Sequence, residues 1–299
     1  MRRPTAPRCA SPLSTTPRST TFVGIKSAGI KNPRRLLLAL LLAELLSAVL
    51  LIGRPTTTRG PVLAAAPPAT TSAAPATLGS TPVALPDGRT AELVSLGGRD
   101  SDALLRRIAG ELGDAAAAVS DFWGPHWRRD ITVVATGSDA QFSALAGGGA
   151  DIAAATTVDR ILFAPGAAAM TPEDLRIVLR HELFHFAARD ATAADAPRWL
   201  TEGVADYVAR PRAATPTEQP TALPTDAELD TAGATRSSAY DRAWSFATYV
   251  AERYGRDALR TLYVQACGPG HPDVPTAVRV ALGADLDDVV AGWTGRQSG

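Results

Sequence analysis

The pattern of apolar and polar residues divides the chain into an apolar run, a polar stretch without periodicity and a region of periodic elements. Residues 36–52 read LLLALLLAELLSAVLLI and contain one charge, Glu44. A buried soluble helix usually has a polar stripe at helical spacing, which this run lacks. The run is therefore predicted to be a transmembrane signal anchor, at the short end of what spans a hydrocarbon core of about 30 Å. Residues 53–80 are rich in Pro, Ala, Thr and Ser and are predicted to be a disordered linker.

Residues 81–299 have the alternating and helical patterns of a folded domain. Residues 82–96 are predicted to form a β-hairpin with Asp87 and Gly88 at its turn. The other predicted elements are strands at 130–135, 152–157 and 158–165, and helices at 101–122, 138–145, 171–189, 199–208 and 237–255. This mixture predicts a small α+β domain.

Charge patterning predicts which side of a membrane each part of the chain occupies. Residues 1–35 contain eight basic residues and no acidic ones, and the next acid after Glu44 is Asp87. The positive-inside tendency then places residues 1–35 in the cytoplasm, as a disordered tail, and residues 81–299 outside. The predicted location is the cell membrane, with a single pass. The alternative is a secreted protein whose signal is cleaved near Ala64-Ala65-Ala66.

Composition excludes several classes of protein. After residue 52 the chain holds 22 basic and 29 acidic residues, so we expect no nucleic-acid partner. Two cysteines cannot form the disulfide framework of a small secreted scaffold. Cys9 and Cys267 are predicted to lie on opposite sides of the membrane, so we expect no bond between them.

The most informative motif is His181-Glu182-Leu183-Phe184-His185, in the predicted helix 171–189. The two histidines are one helical turn apart, so both imidazoles can reach one metal ion at about 2.0–2.1 Å. Glu182 lies beside them, where it can accept and donate a proton. With four His and nine Glu in the chain, the motif is expected by chance about 0.002 times. A zinc site is therefore predicted here.

Tetrahedral zinc needs a third protein ligand and leaves a fourth position for water. The next histidine after the motif is His271, far along the chain, so the nearby candidates are acidic. They are Asp190, Asp195, Glu202 and Asp206. The last two are one turn apart on the predicted helix 199–208. One of them can ligate the metal while the other accepts the spare N–H of a zinc histidine.

The combination HELFH … RWLTEGVADY resembles the gluzincin zinc metallopeptidases, in particular their compact peptidase MA-like domains. The resemblance covers roughly residues 95–295 and is most specific at 178–208. It implies one Zn²⁺ per chain, and it assigns His181, His185 and Glu202 as the zinc ligands. It further implies that Glu182 is the general base and that Asp206 is the carboxylate that hydrogen-bonds a zinc histidine.

The family fold implies a small mixed or antiparallel sheet packed on the two zinc-binding helices, the thermolysin-like arrangement. Its edge strand lies along the cleft and binds extended peptide, and residues 158–164 are expected to be that strand. Tyr240, in the helix 237–255, is the candidate donor to the oxyanion. The alternative is that Tyr240 is a packed aromatic residue, like Trp244 and Tyr249.

These expectations lead to one functional hypothesis and one alternative. The hypothesis is a membrane-anchored, extracytoplasmic zinc metallopeptidase that hydrolyses peptide bonds with zinc-activated water and Glu182 as general base. Its partners would be a peptide or protein substrate and, through residues 36–52, the membrane. The alternative is a non-catalytic zinc-binding domain of the cell envelope that binds a protein partner. The sequence contains no indication of the oligomeric state.

Overall fold

A computed structural model describes residues 79–147, 152–211 and 220–295. The predicted tail at 1–35, the predicted span at 36–52 and nearly all of the predicted linker lie outside these residues. Within the three described ranges, no helix combines the length and the apolar character needed to cross a membrane.

The strands form one five-stranded mixed sheet with the order β1-β2-β3-β5-β4. Their bounds are Ser80–Ala84 (β1), Thr90–Ser95 (β2), Asp130–Ala135 (β3), Ala154–Thr156 (β4) and Ile161–Phe163 (β5). The β2, β3 and β5 strands run parallel, and β1 and β4 pair antiparallel with their neighbours at the two edges. Together with the helices, this sheet makes the domain α+β, as predicted.

The predicted hairpin is confirmed, and its turn follows from local chemistry. Gly88 has φ +82°, a conformation that glycine adopts without steric cost, and Leu85 and Arg89 close the turn with backbone hydrogen bonds. Arg89 also pairs with Asp87 and lies over the Trp127 ring. The first hairpin is thus attached to the loop that precedes β3.

The prediction that residues 158–164 form the edge strand is wrong. β5 lies inside the sheet, between β3 and β4, and β4 is the edge strand. The Ile-Leu-Phe sequence of β5 is fully buried, which suits an interior position, whereas β4 carries only small side chains. The chain reverses between them at residues 157–160, where Thr157 N–H donates to the Arg160 carbonyl.

Nine helices lie in the described part of the chain. They are Gly98–Trp123 (α1), Asp139–Ala146 (α2), Pro172–Ala188 (α3), Arg198–Ala209 (α4), Asp226–Asp230 (α5), Ala234–Tyr254 (α6), Arg256–Cys267 (α7), Val274–Leu282 (α8) and Leu286–Gly295 (α9). Short 3₁₀ turns occur at Pro165–Ala169 and Arg189–Ala191.

Helix packing places α3 and α4 at the centre of the domain. The predicted apolar stripe of α1 is buried at Leu104, Leu105, Ile108, Leu112 and Val119. α1 contacts β2 and β3, α3 contacts β4 and β5, and the two helices pack on each other. α4 lies between α3 and α6. The two helices that carry the predicted metal ligands are therefore held by the sheet on one side and by α6 on the other.

Candidate metal centre and active site

The helix α3 begins as its sequence predicts. Thr171 accepts a hydrogen bond from the Asp174 N–H, and Pro172 occupies the first turn, where its missing N–H costs nothing. This start fixes the register of the helix. His181 and His185 are four residues apart and therefore lie on one face of α3, with their Nε2 atoms 3.0 Å apart.

The structure brings His181, His185 and Glu202 together as a candidate metal site. Glu202 Oε2 lies 3.1 Å from His181 Nε2 and 3.4 Å from His185 Nε2. Tetrahedral ligand atoms around zinc lie about 3.3 Å from one another. The three side chains therefore already have the mutual spacing of zinc ligands, and two imidazoles with one carboxylate form a donor set that zinc commonly takes.

The carboxylates in this buried site favour a cation, although burial itself opposes charge. His181 is 1% exposed and Glu202 is 4% exposed. Burial opposes the charged form of His181, but hydrogen bonds to Asp206 and Glu202 outweigh it and raise the pKa to about 10. Burial also opposes ionisation of Glu202, but the neighbouring His185 and His181 outweigh it and hold the Glu202 pKa below its ordinary value. A bound cation would thus compete with a tightly held proton.

Asp206 accepts a hydrogen bond from Nδ1 of the candidate ligand His181. Its Oδ1 lies 2.9 Å from His181 Nδ1, which leaves His181 Nε2 free to face the metal position. Asp206 is fully buried and also accepts from Arg210, which donates to Asp241 as well and lies 4.6 Å from the Trp244 ring centroid. Burial would raise the Asp206 pKa, but Arg210 and His181 lower it, so the carboxylate stays ionised.

Glu182 is 1% exposed and lies outside the group of three candidate ligands. Its Oε2 accepts a hydrogen bond from Thr156 Oγ1 at 2.8 Å, and the same hydroxyl lies 2.9 Å from the Glu182 carbonyl oxygen. The edge strand β4 therefore touches the candidate base through a side chain. Glu182 directly follows the candidate ligand His181 on α3, and a carboxylate there that is not itself a ligand suits proton transfer.

Tyr240 lies beneath the ligands, on α6. Its ring is fully buried and stacks on His181 with centroids 6.5 Å apart, and its hydroxyl has no hydrogen-bond partner within the described residues. Burial, followed by the charges of Glu202 and Asp206, raises its pKa well above the ordinary value. The hydroxyl is therefore a proton donor at neutral pH, and its role toward an oxyanion stays a prediction.

The other acidic candidates for the third ligand lie elsewhere. Asp190 is paired with Arg128 at the surface, and its side chain is 70% exposed. The Asp195 side chain is 87% exposed and lies 3.6 Å from His271. The structure thus brings only Glu202, of the four acids considered, into ligating distance of both motif histidines, while Asp206 contacts His181 from the other side.

Two residues of the site were not singled out from sequence. Thr156 lies in a short Ala-rich strand, and the neighbouring sequence does not indicate that its side chain contacts Glu182, 26 positions later. Arg210 did have a signal, because it follows Asp206 by four residues and such pairs face each other on a helix.

Comparison with known proteins gives structural likenesses only. No protein-family profile and no curated protein sequence matches the chain. The M1 zinc metallopeptidase from Deinococcus radiodurans is 17% identical with a TM-score of 0.44, over 72% of this chain and 50% of that one. A mutant of that enzyme bound to a Tyr-Ser-Ala substrate is 18% identical with a TM-score of 0.46. Legionella pneumophila aminopeptidase A is 13% identical with a TM-score of 0.46, over 73% of this chain and 28% of that one. The chain spans about half, or less, of these proteins.

Proposed function

We propose that the protein is a zinc metallopeptidase that hydrolyses peptide bonds. The observation that supports this most is the spacing of the ligand atoms of His181, His185 and Glu202, 3.0–3.4 Å, around one point between α3 and α4. Glu182 directly follows His181 on α3, and its carboxylate is held by Thr156 without joining the three candidate ligands. Ligands, a base and a supporting carboxylate are the groups that metal-assisted hydrolysis needs.

Each residue has a defined part in this chemistry. Zinc, when bound, would supply a Lewis acid that lowers the pKa of water, so that hydroxide is available to attack a carbonyl near neutral pH. Glu182 takes the proton of the attacking water and then delivers it to the nitrogen of the leaving amine. Asp206 fixes the tautomer of His181 by accepting its Nδ1–H. Tyr240 is our candidate for a hydrogen-bond donor to the oxyanion.

The edge strand β4 is the proposed place for the substrate backbone. Backbone hydrogen bonds to β5 involve Ala153 and Thr157, so the main-chain groups of Ala154 and Thr156 point away from β5. An extended peptide can add to such an edge as a further strand. Because Thr156 also contacts Glu182, a peptide on this edge would pass next to the base.

We further propose that the enzyme works outside the cell membrane, anchored by residues 36–52, with secretion after signal cleavage as the alternative. The basic residues before the apolar run support this orientation. A topology reporter fused after Gly299 should be active only on the outer side of the membrane. A reporter that is active only in the cytoplasm would contradict the proposed location.

The metal is tested first. The full chain, purified in detergent without a histidine tag, is expected to contain one zinc per chain. Glu202→Ala should reduce the zinc content sharply, because it removes one of three protein ligands. Glu173→Ala, which removes an exposed carboxylate on the same helix as the histidines, should leave it unchanged. A wild-type chain that takes up no zinc from zinc-containing buffer would overturn the proposed function.

Hydrolysis is tested on the zinc-loaded protein with a tryptic digest of casein, followed by mass spectrometry. Glu182→Gln should retain zinc and lose about 10²- to 10⁴-fold in kcat, because the amide cannot accept the proton. Undiminished hydrolysis in that variant would remove Glu182 from the mechanism. A zinc-loaded wild-type chain that cleaves none of these peptides would favour the alternative, a zinc-binding domain without activity.

A further inference from the structure

The carboxylate of Glu182 has a single hydrogen-bond partner among the described residues. That partner is Thr156, whose Oγ1 lies 2.8 Å from Glu182 Oε2. Both residues are buried, with 1% exposure for Glu182 and 7% for Thr156. A buried carboxylate takes its orientation from the few donors that reach it. The hydroxyl of Thr156 is therefore placed to decide where the carboxylate points.

The same hydroxyl oxygen lies 2.9 Å from the main-chain carbonyl of Glu182. A hydroxyl has one hydrogen to donate and can also accept. When Glu182 is ionised, the hydroxyl donates to Oε2. When Glu182 holds a proton, Oε2–H can donate to Thr156 Oγ1, whose own hydrogen turns to the carbonyl oxygen. Both states of the carboxyl group are then hydrogen-bonded without movement of a heavy atom.

The position of Thr156 in the fold makes this contact rigid. Thr156 is the last residue of β4, and its neighbour across the sheet is Ile161 of β5. A β-branched side chain has few χ1 rotamers, so the hydroxyl is fixed by the strand that carries it. The other end of the contact is on α3, one residue after His181. The distance between strand and helix thus sets the position of the carboxylate relative to the candidate metal ligands.

We propose that Thr156 is a positioning residue that holds the Glu182 carboxylate in place for proton transfer. This deepens the proposed function and rests on it, because it requires Glu182 to act as the base. Thr156 acts through Glu182 and does not ligate the metal, so its removal should change turnover and leave zinc binding intact. A purely structural clamp between β4 and α3 would instead change stability alone.

The test compares Thr156→Val, which keeps the shape and removes the hydroxyl, with Thr156→Ser, which keeps the hydroxyl. Thr157→Val is the matched control, because it is the same substitution at the next position, where the hydroxyl contacts Asp159 and the Arg160 carbonyl. In the zinc-loaded full chain, with casein tryptic peptides, Thr156→Val should lower kcat about 10- to 100-fold with little change in KM. Thr156→Ser should recover most of the loss, and all three variants should hold one zinc per chain.

A second readout needs no substrate. The infrared carboxylate band of Glu182, identified by its loss in Glu182→Gln, should shift in Thr156→Val and stay in place in Thr157→Val, because one hydrogen bond to the carboxylate is removed. An unshifted band, or a shifted band with unchanged kcat, would overturn the inference about Thr156. If the zinc-loaded wild type itself cleaves no peptide, the proposed function fails first, and the inference fails with it.

Discussion

At the scale of single residues, the charge of His181 governs how the metal-free protein responds to pH. Its pKa is raised from 6.5 to about 10, so it is an imidazolium at neutral pH when no metal is bound. A raised pKa contributes stability that is fully present below about pH 6.5 and is lost as the pH rises through 10. The lowered pKa values of Glu202 and Asp206 act oppositely, and their contribution is lost as the pH falls below the ordinary carboxyl range.

We therefore expect the chelator-treated protein to become less stable as the pH rises from 6.5 to 10. The urea midpoint, measured at several pH values, checks this. The zinc-loaded protein is the comparison, because its His181 Nε2 carries no proton to lose and its decline should be much smaller. A metal-free protein whose midpoint increases across this range would show that the hydrogen bonds of His181 to Asp206 and Glu202 do not hold a proton.

Some residues of the candidate site could be predicted from the sequence, and others could not. The two motif histidines and Glu182 could be singled out because three residues of two uncommon types occur within five positions, with the histidines one helical turn apart. For the third ligand, spacing alone left four acids open, Asp190, Asp195, Glu202 and Asp206, and the resemblance to the gluzincins selected Glu202. Thr156 could not be found in this way, because threonine is common and its partner is separated from it by β5, a 3₁₀ turn and the first half of α3.

At the scale of elements, Gly203 allows α4 to approach α6 closely. A Cβ at this position would lie 2.5 Å from the Ala243 carbonyl oxygen and 2.7 Å from its carbon, so one helix would have to move. Glu202 is the preceding residue, and movement of α4 would displace it from the histidines. The contact between these two helices therefore supports the candidate metal site directly.

Gly203→Ala should destabilise the protein by about 2–3 kcal/mol, because overpacking outweighs the better helix propensity of alanine. It should also weaken zinc binding. Gly110→Ala is the matched control, since Gly110 lies in the exposed interior of α1 with nothing within 4 Å of its Cβ position. The free energy of unfolding of Gly110→Ala should be about 0.5–1 kcal/mol higher than that of the wild type. Urea unfolding measures both, and a stabilising Gly203→Ala would contradict the close approach of α4 and α6.

Periodicity predicted five of the nine helices in the described residues, α1 to α4 and α6, and it did not predict the order of the strands, for a physical reason. The apolar stripe of α1 and the start of α3 at Thr171 and Pro172 follow from local sequence, and the structure has both. The order of β4 and β5 depends on which of the two pairs with β3, and that pairing joins residues distant in sequence, which periodicity does not report. The structure therefore moves the expected substrate-binding edge from residues 158–164 to Ala154–Thr156.

At the scale of the whole molecule, the candidate metal site connects elements that are distant in sequence. His181 and His185 come from α3, which lies on the sheet, and Glu202 comes from α4, which packs on α6. A metal bound by both helices would join the sheet layer to the C-terminal helices. Unfolding would separate these ligands, so metal binding should stabilise the entire fold rather than the site alone.

Zinc should therefore raise the thermal unfolding temperature of the protein. A ligand that binds only the folded state raises the free energy of unfolding by about 2.7 kcal/mol when its free concentration is 100 times its Kd. For zinc, this stabilisation should grow with the logarithm of the free zinc concentration. Differential scanning calorimetry across a buffered zinc series measures the dependence. Glu202→Ala should abolish it, and Glu173→Ala should retain it, because only the first substitution removes a ligand shared between the two helices. If Glu202→Ala kept the full zinc dependence, the metal would be held by α3 alone, and the two helices would not be coupled through it.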